Sequence, residues 1–343
     1  NPACVCNVLR IAISYNSFDV LEDGYGINLR PLSMFAASAY RDDPCARFSP
    51  HILDQNIYDA VEPGLAAKMH KAIAVIQFKV EGQIIKRHPE YGMDQRRLLE
   101  QVNFETGTVT LEGKEYPMLD MRFPTVDPKD PLALTIEEEE LLHTLQMSFR
   151  HSELLHTHVK FLYSHGSLYK CCNGNLLYHG CIPMRKDGSF DEITFSGTAY
   201  SGKNLMDFID RMVQNAYFLP ESNPGKNDAR DFMWYLWCGA KSPVFGKEKM
   251  TAFEHYFIAD GSTHKETMNP YYQLSVMPEH CSRILKEFGL PETGSHIING
   301  HVPVKIKDGE TPVKAGGRLF IIDGGLSKAY QSKTGIAGYT LIY

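Results

Sequence analysis

Apolar residues recur at helical spacing in the first half of the chain. Between residues 63 and 78, apolar side chains fall on one face of a helix whose first residue, a proline, suits an initial turn. Thr135 followed by Glu138 fits a capping box, which opens a second helix that continues toward Phe161. We therefore expect residues 48–162 to be mainly helical.

Three other segments of this half have recognisable patterns. Residues 5–15 fit a buried helix or strand, and residues 31–40 fit a short alanine-rich helix. Residues 107–116 alternate threonine and valine before Glu112-Gly113, which predicts a β-hairpin that turns at this pair.

From about residue 163 onward, strand patterns alternate with helical patterns. The predicted strands are Asn175–His179, Glu192–Phe195, His296–Asn299, Leu319–Asp323 and Gly338–Tyr343, and the predicted helices are Gly202–Phe218, Asp228–Trp237 and Cys281–Phe288. This alternation predicts an α/β layered core. We expect residues 1–47 and 163–343 to form that core, with residues 48–162 as a helical insertion or cap.

Composition places the chain among soluble globular proteins. Its 343 residues are 43% hydrophobic and 22% charged, and no run of eighteen apolar residues occurs. We therefore expect a cytoplasmic protein without a membrane span. The eight cysteines are scattered, and Cys171 and Cys172 are adjacent, so reduced thiols are expected rather than a disulfide framework or a zinc site.

The distribution of charge argues against nucleic acid as a partner. The net charge is -6, and no concentrated basic segment occurs. Residues 241–343 nevertheless carry a small positive excess, which could attract an anionic small molecule.

Two histidines share one local setting. His179 in Leu177-Tyr-His-Gly180 and His301 in Ile298-Asn-Gly-His-Val-Pro303 each end an apolar strand beside a glycine. Strand ends are where ligands bind in layered α/β folds, and neutral imidazole binds divalent metal ions. The alternative is a hydrogen-bonded histidine at a turn, and the local pattern leaves both interpretations open.

Several basic residues near turns could contact a phosphate. They are Arg30, Lys241, Lys265 and Lys328. The alternative for each is a solvated surface charge. No P-loop motif and no dinucleotide-binding glycine motif follows a strand, so a nucleotide-binding fold is not indicated.

Five longer strings give the sequence a specific resemblance. They are LEDGYGINLRPL (21–32), YLWCGAKSPVFGK (235–247), THKETMNPYY (263–272), HIINGHVPVK (296–305) and IDGGLSKAYQSKTGIAGYTLIY (322–343). In this order the chain resembles the class III fructose-1,6-bisphosphatases along essentially its whole length.

The resemblance implies a fold, a reaction and a metal site. The family resembles the calcineurin-like metallophosphoesterases, which have a two-sheet sandwich flanked by helices and two divalent cations, here Mn(II). The implied reaction is hydrolysis of the C1 phosphate of fructose 1,6-bisphosphate to fructose 6-phosphate, a step of gluconeogenesis. His179 and His301 match the fourth and fifth superfamily motifs, which implies that both bind the same metal. Arg30, Lys241, Lys265 and Lys328 would then contact the sugar phosphate.

One departure from the superfamily pattern limits this assignment. The motifs D-x-H, G-D-x-x-D-R-G and G-N-H-[DE] do not occur in these 343 residues. We therefore expect a fragment of a longer enzyme, inactive by itself, which could form a homo-oligomer. The alternatives are another metallophosphoesterase, such as a protein phosphatase, and a non-catalytic regulatory or interaction module.

Overall fold

The structure, a computed structural model, describes residues 1–51, 62–325, 334–335 and 338–342. The chain divides into two units, each with its own core. Unit 1 comprises Asn1–Ser164 and Thr251–Lys265, and unit 2 comprises His165–Met250 and Glu266–Tyr343.

The described residues contain both helices and strands in each unit. The helices are α1 (Pro2–Ser14), α2 (Phe18–Tyr25), α3 (Arg30–Ala39), α4 (Pro63–Arg87), α5 (Ile136–His151), α6 (Glu153–His165), α7 (Gly202–Phe218), α8 (Gly225–Cys238), α9 (Ala252–Phe257), α10 (Tyr271–Leu274) and α11 (Pro278–Glu287). The strands are β1 (Val102–Asn103), β2 (Thr108–Leu111), β3 (Lys114–Pro117), β4 (Tyr169–Cys172), β5 (Asn175–Tyr178), β6 (Glu192–Phe195), β7 (Thr198–Ser201), β8 (Ile297–Asn299), β9 (Val313–Lys314) and β10 (Leu319–Ile321). None of the helices within the described ranges is long and apolar enough to cross a membrane.

Helix α4 forms the centre of unit 1. It is buried on nearly all sides, and α1 and α3 pack against it. Two of its lysines are completely buried, and each has an acidic partner at 2.6 Å. Lys71 Nζ contacts Asp43 and Asp120, and Lys79 Nζ contacts Glu138. These pairings offset the cost of taking ammonium groups out of water.

The helices of unit 1 follow the sequence prediction with one difference. Helix α4 covers the predicted segment and continues to Arg87, and the capping box at Thr135 is present. The helix expected to continue toward Phe161 is interrupted at Ser152, so α5 and α6 are separate. Ser152 has an extended backbone, and its hydroxyl donates to the Tyr25 carbonyl at 2.6 Å, which holds the chain out of the helical path.

The predicted hairpin at Glu112-Gly113 is confirmed. Strands β2 and β3 pair in antiparallel register through Leu111 and Lys114. Both turn residues have positive φ, 51° at Glu112 and 79° at Gly113, as a two-residue turn of type I′ requires.

Unit 2 is built on a five-stranded sheet in the order β4-β5-β8-β10-β9. The three central strands β5, β8 and β10 are parallel, and the two outer strands are antiparallel to their neighbours. Side chains of β5, β8 and β10 join residues of α11 in a buried apolar cluster. Because the central strands are parallel, their carboxyl ends lie at one edge of the sheet.

Most predicted elements of unit 2 are confirmed, and one is wrong. Helix α7 has the predicted bounds, and strands form within four predicted segments. The strand predicted at Gly338–Tyr343 is absent over residues 338–342. Tyr339 N–H donates to the Ile322 carbonyl, but Ile342 is 88% exposed, so this apolar run does not supply a buried face that would fix a strand.

The mixed α/β class is confirmed, whereas the division into core and insertion stays a prediction. The structure groups residues 1–47 with residues 62–164 in unit 1, and it places most of residues 163–343 in unit 2. All eight cysteines are free thiols, as expected.

Candidate metal-binding site

The carboxyl ends of β5 and β8 bring His179 and His301 together. Leu177 and Ile298 are register partners in these neighbouring parallel strands, and each histidine follows shortly after its strand. Gly300 N–H donates to the His179 carbonyl at 2.9 Å, which ties the two strand-end turns to each other. The residues are 122 positions apart in sequence, so the sheet alone makes them neighbours.

The first turn has no room for a side chain at Gly180. A Cβ at this position would lie 2.4 Å from the Pro243 carbonyl oxygen, and that same carbonyl accepts the Cys181 N–H at 2.9 Å. A side chain would therefore collide with backbone that is already held by a hydrogen bond.

The second turn has its unusual backbone at the histidine itself. His301 has φ of 67°, in the left-handed region that residues with a Cβ rarely occupy. A Cβ at Gly300 would make only an ordinary contact, 3.5 Å from Asp323 Cβ. The strained conformation is thus at His301 and not at the glycine.

The two rings direct nitrogen atoms toward each other. His179 Nε2 and His301 Nδ1 are 3.1 Å apart, and the ring planes meet at 75°. His301 Nε2 lies 3.0 Å from the Phe245 carbonyl oxygen. Because a carbonyl only accepts, Nε2 of His301 carries the hydrogen in the neutral ring, which leaves the Nδ1 lone pair facing His179.

The surroundings of His301 favour its neutral form. Burial lowers the pKa of His301, and the neighbouring His179 and Lys247 also lower it. The Phe245 carbonyl and Asp323 act in the opposite direction. Neutral imidazole is the form that binds metal ions.

A cavity of about 1280 Å³ opens at this edge of the sheet. Its lining includes both histidines, Asn299 and Asp323. Asp323 is not among the site residues predicted from the sequence, although it follows β10, the third parallel strand, by two positions. Its place after a strand, like that of the two histidines, is the signal by which it could have been found.

Comparison with known proteins identifies the family. A sequence model described as Firmicute fructose-1,6-bisphosphatase matches residues 1–343. The chain belongs to this family. It is similar to proteins named fructose-1,6-bisphosphatase class 3 from Clostridium novyi (53% identity, covering all of this chain and 51% of the relative), Clostridium tetani (54%; all and 52%) and Bacteroides fragilis (52%; all and 52%). The chain thus spans about half the length of these relatives. No solved structure matches it.

The histidine pair of this family member suits a shared divalent cation. Two imidazole nitrogens bound to one ion at about 2.0–2.1 Å lie about 3 Å apart, close to the separation found here. Metal-binding histidines usually donate their second ring N–H to an acceptor, and His301 Nε2 has the Phe245 carbonyl as such an acceptor. Across residues 1–51, 62–325, 334–335 and 338–342, no group of three or more His, Cys, Asp or Glu side chains could hold an ion. In the described part of the chain, the candidate ligands are therefore these two histidines.

Of the four basic residues selected from the sequence, three lie in the described part of the chain. Lys241 is in unit 2, where its Nζ donates to the Glu192 carbonyl at 2.8 Å and lies 3.3 Å from Asp191 Oδ1. Arg30 and Lys265 are exposed residues of unit 1. Lys328 lies outside the described residues. Phosphate contacts by these four residues stay a prediction.

Proposed function

We propose that this chain is part of an enzyme that hydrolyses the C1 phosphate of fructose 1,6-bisphosphate to fructose 6-phosphate. The observation that carries the proposal is the pairing of His179 and His301 at adjacent strand ends, in a chain that matches a fructose-bisphosphatase family from end to end. Membership of the family supports the sugar bisphosphate as the substrate. A metabolic step of this kind is consistent with a cytoplasmic protein.

In this proposal both histidines bind one Mn(II) ion of a binuclear centre. When bound, the metal ions would lower the pKa of water and offset negative charge on the phosphate oxygens. His301 would bind through Nδ1 while its Nε2–H stays on the Phe245 carbonyl, which fixes the ring orientation. His179 would bind through Nε2, the atom that faces His301.

The proposal extends to the fold and to the phosphate contacts. The parallel strands β5, β8 and β10, with ligands at their carboxyl ends, suit one sheet of a calcineurin-like sandwich. Residues 1–47 and 163–343 would belong to that core, with residues 48–162 as the insertion. Arg30, Lys241, Lys265 and Lys328 would contact the sugar phosphates, and a homo-oligomer remains part of the proposal.

The substrate is tested with the protein encoded by the complete reading frame that contains this chain. Phosphate release is measured with Mn(II) on fructose 1,6-bisphosphate and on a phosphopeptide. We expect a kcat/KM that favours the sugar bisphosphate. Preference for the phosphopeptide would indicate a protein phosphatase, and no release from either substrate would indicate a non-catalytic module; both results contradict the proposal.

The metal ligands are tested in the same protein with His179→Asn and His301→Asn. Each change removes one imidazole, and we expect kcat/KM to fall by more than about 100-fold. His143→Asn is the control, because His143 is an exposed residue of α5, and its activity should equal that of the parent. Retained activity in either site variant would exclude that histidine as a ligand.

A further inference from the structure

A buried amide lines the same cavity as the histidine pair. Asn299 is the last residue of β8, two positions before His301, and only 4% of its surface is exposed. Its Nδ2 group donates to the Tyr271 hydroxyl at 2.7 Å and to the Gly180 carbonyl at 3.3 Å. The orientation of the amide is fixed by chemistry, because the Gly180 carbonyl can only accept and must face the NH₂ group.

The Tyr271 hydroxyl also contacts Tyr178, the residue that precedes His179. It lies 2.6 Å from the Tyr178 hydroxyl, in a pair where either oxygen can donate. Tyr178 and Gly180 are the two sequence neighbours of His179. The Asn299 side chain is therefore connected to both sequence neighbours of His179. It contacts the Gly180 carbonyl directly and reaches Tyr178 through the Tyr271 hydroxyl.

Tyr271 is itself held in place by a second asparagine. Asn269 Oδ1 accepts the backbone N–H of Tyr271 at 3.0 Å and that of Met184 at 3.1 Å. Asn269 and Tyr271 come from the string THKETMNPYY, whose asparagine and tyrosines have no role in the phosphate contacts proposed above.

Burying these polar groups among apolar side chains costs free energy of folding. Tyr178 and Tyr271 belong to the apolar cluster under the sheet, where they have 6% and 0% exposure. Asn299 Oδ1 is buried and has no hydrogen-bond partner in the part of the chain that the structure describes. A buried carbonyl oxygen without a partner is destabilising, although the same amide donates two hydrogen bonds through Nδ2. Buried polar groups that lower stability are expected at functional sites.

We propose that Asn299, Tyr271 and Tyr178 are positioning residues that set the separation and orientation of the His179 and His301 rings. The three side chains, here called the positioning network, link the two strand-end turns through hydrogen bonds that have fixed donors and acceptors. Apolar packing is non-directional, so by itself it would not fix the two turns at one separation. The catalytic consequence rests on the function proposed above, whereas the geometric role does not.

The direct test measures the distance between the two rings. In the 343-residue chain with isotope-labelled histidine, we expect an NOE between ring protons of His179 and His301. In Asn299→Leu combined with Tyr271→Phe, a ring displacement of about 1 Å would reduce this NOE by at least about threefold. An undiminished NOE in a folded double variant would overturn the proposal.

Two further variants separate positioning from stability. The double variant leaves the Tyr178 hydroxyl and the Gly180 carbonyl without these partners, so its unfolding midpoint in urea should fall, yet the variant should stay folded while the NOE is lost. Tyr178→Phe, which leaves the bond from Asn299 to Tyr271 intact, should reduce the NOE less than Tyr271→Phe does. Loss of the NOE only in proportion to lost stability would indicate a merely structural network, and that result would also overturn the proposal.

Activity of the protein encoded by the complete reading frame gives an independent measurement. Tyr271→Phe should lower kcat/KM by 10–100-fold, as is typical when a group that orients a metal ligand is removed. Parental kcat/KM in this variant would contradict the catalytic consequence. If the parent itself releases no phosphate while the double variant loses the NOE, the proposed function fails and the positioning network stands.

Discussion

Lys79 illustrates how a single buried charge depends on its neighbours. Its side chain has no exposed surface, and Nζ donates to Glu138 Oε2 and to the Thr125 carbonyl, both at 2.6 Å. Glu138 has a second task, because the same oxygen accepts the N–H of Thr135 in the capping box of α5. The charge of α4 and the start of α5 therefore meet at one carboxylate.

Because both charges are buried, removing only one of them should lower the free energy of unfolding more than removing both. Lys79→Met should lower the free energy of unfolding by about 3–5 kcal/mol, because it leaves Glu138 buried without its charge partner. Adding Glu138→Gln should recover a large part of that loss, since no unpaired charge then remains. Urea unfolding gives the values. Lys86→Met is the control, because Lys86 pairs with Glu100 with half of its side chain exposed and should change stability by less than about 1 kcal/mol. Equal effects of the two methionine variants would contradict this reasoning.

His70 on α4 predicts a dependence of stability on pH. The ring lies between the Phe48 carbonyl and the Tyr256 hydroxyl, each at 2.9 Å. Burial lowers the pKa of His70 to about 4, and the charge of Arg10 adds to this effect. The unfolded chain takes up this proton near pH 6.5, and the folded chain does so only near pH 4. The stabilisation is therefore complete above about pH 6.5 and is lost as the pH falls toward 4.

The contribution of His70 is isolated by comparison with His70→Gln. Between about pH 7 and pH 5, the parent should lose about 2 kcal/mol more unfolding free energy than the variant, because the carboxylates that titrate in this range are common to both. Urea unfolding at several pH values gives the two curves. Parallel curves would show that the folded protein protonates His70 as readily as the unfolded chain.

At the scale of elements, the turns after β5 and β8 look equivalent in sequence but differ in structure. Each pairs a glycine with a histidine, yet only Gly180 faces a backbone atom that a side chain would strike. At the other turn the left-handed φ belongs to His301, and Gly300 has room for a Cβ. The sequence does not distinguish the two glycines, because the space around a residue is set by segments distant in the chain, here Pro243.

The two glycines therefore serve as a matched pair of substitutions. Gly180→Ala should lower the free energy of unfolding by at least about 2 kcal/mol, since the Pro243 carbonyl would have to move out of its bond with Cys181. Gly300→Ala should change it by less than about 1 kcal/mol, because its Cβ would make an ordinary contact. Urea unfolding midpoints at unchanged m-values measure both effects. A Gly300→Ala variant that is as unstable as Gly180→Ala would contradict the assignment.

At the scale of the whole molecule, features that depend on residues close in the sequence could be predicted, and features that depend on distant residues could not. Helix α7, the hairpin at Glu112-Gly113 and the capping box depend on neighbours within a few residues, and the sequence pattern was sufficient for them. The burial of Lys79 could not be anticipated, because its partner Glu138 lies 59 positions away. The structure places both histidines just after a strand, as the sequence predicted, whereas their contact depends on the pairing of β5 with β8. The pattern of one strand does not reveal its neighbour in the sheet, so the contact of Asn299 with Gly180 could not be predicted either.

The residues of this chain alone are expected to be insufficient for phosphate release. The described residues bring together two imidazoles but no group of three or more His, Cys, Asp or Glu side chains that could hold an ion, and two ligands do not hold a pair of divalent cations. We expect the purified 343-residue chain with Mn(II) to release no phosphate from fructose 1,6-bisphosphate above the background rate, while the protein from the complete reading frame does so. The His179→Asn and His301→Asn variants of the chain measure that background. Turnover by the chain that exceeds both variants would show that its own residues complete the site, and Asp323, at the third strand end, would then be the first residue to replace.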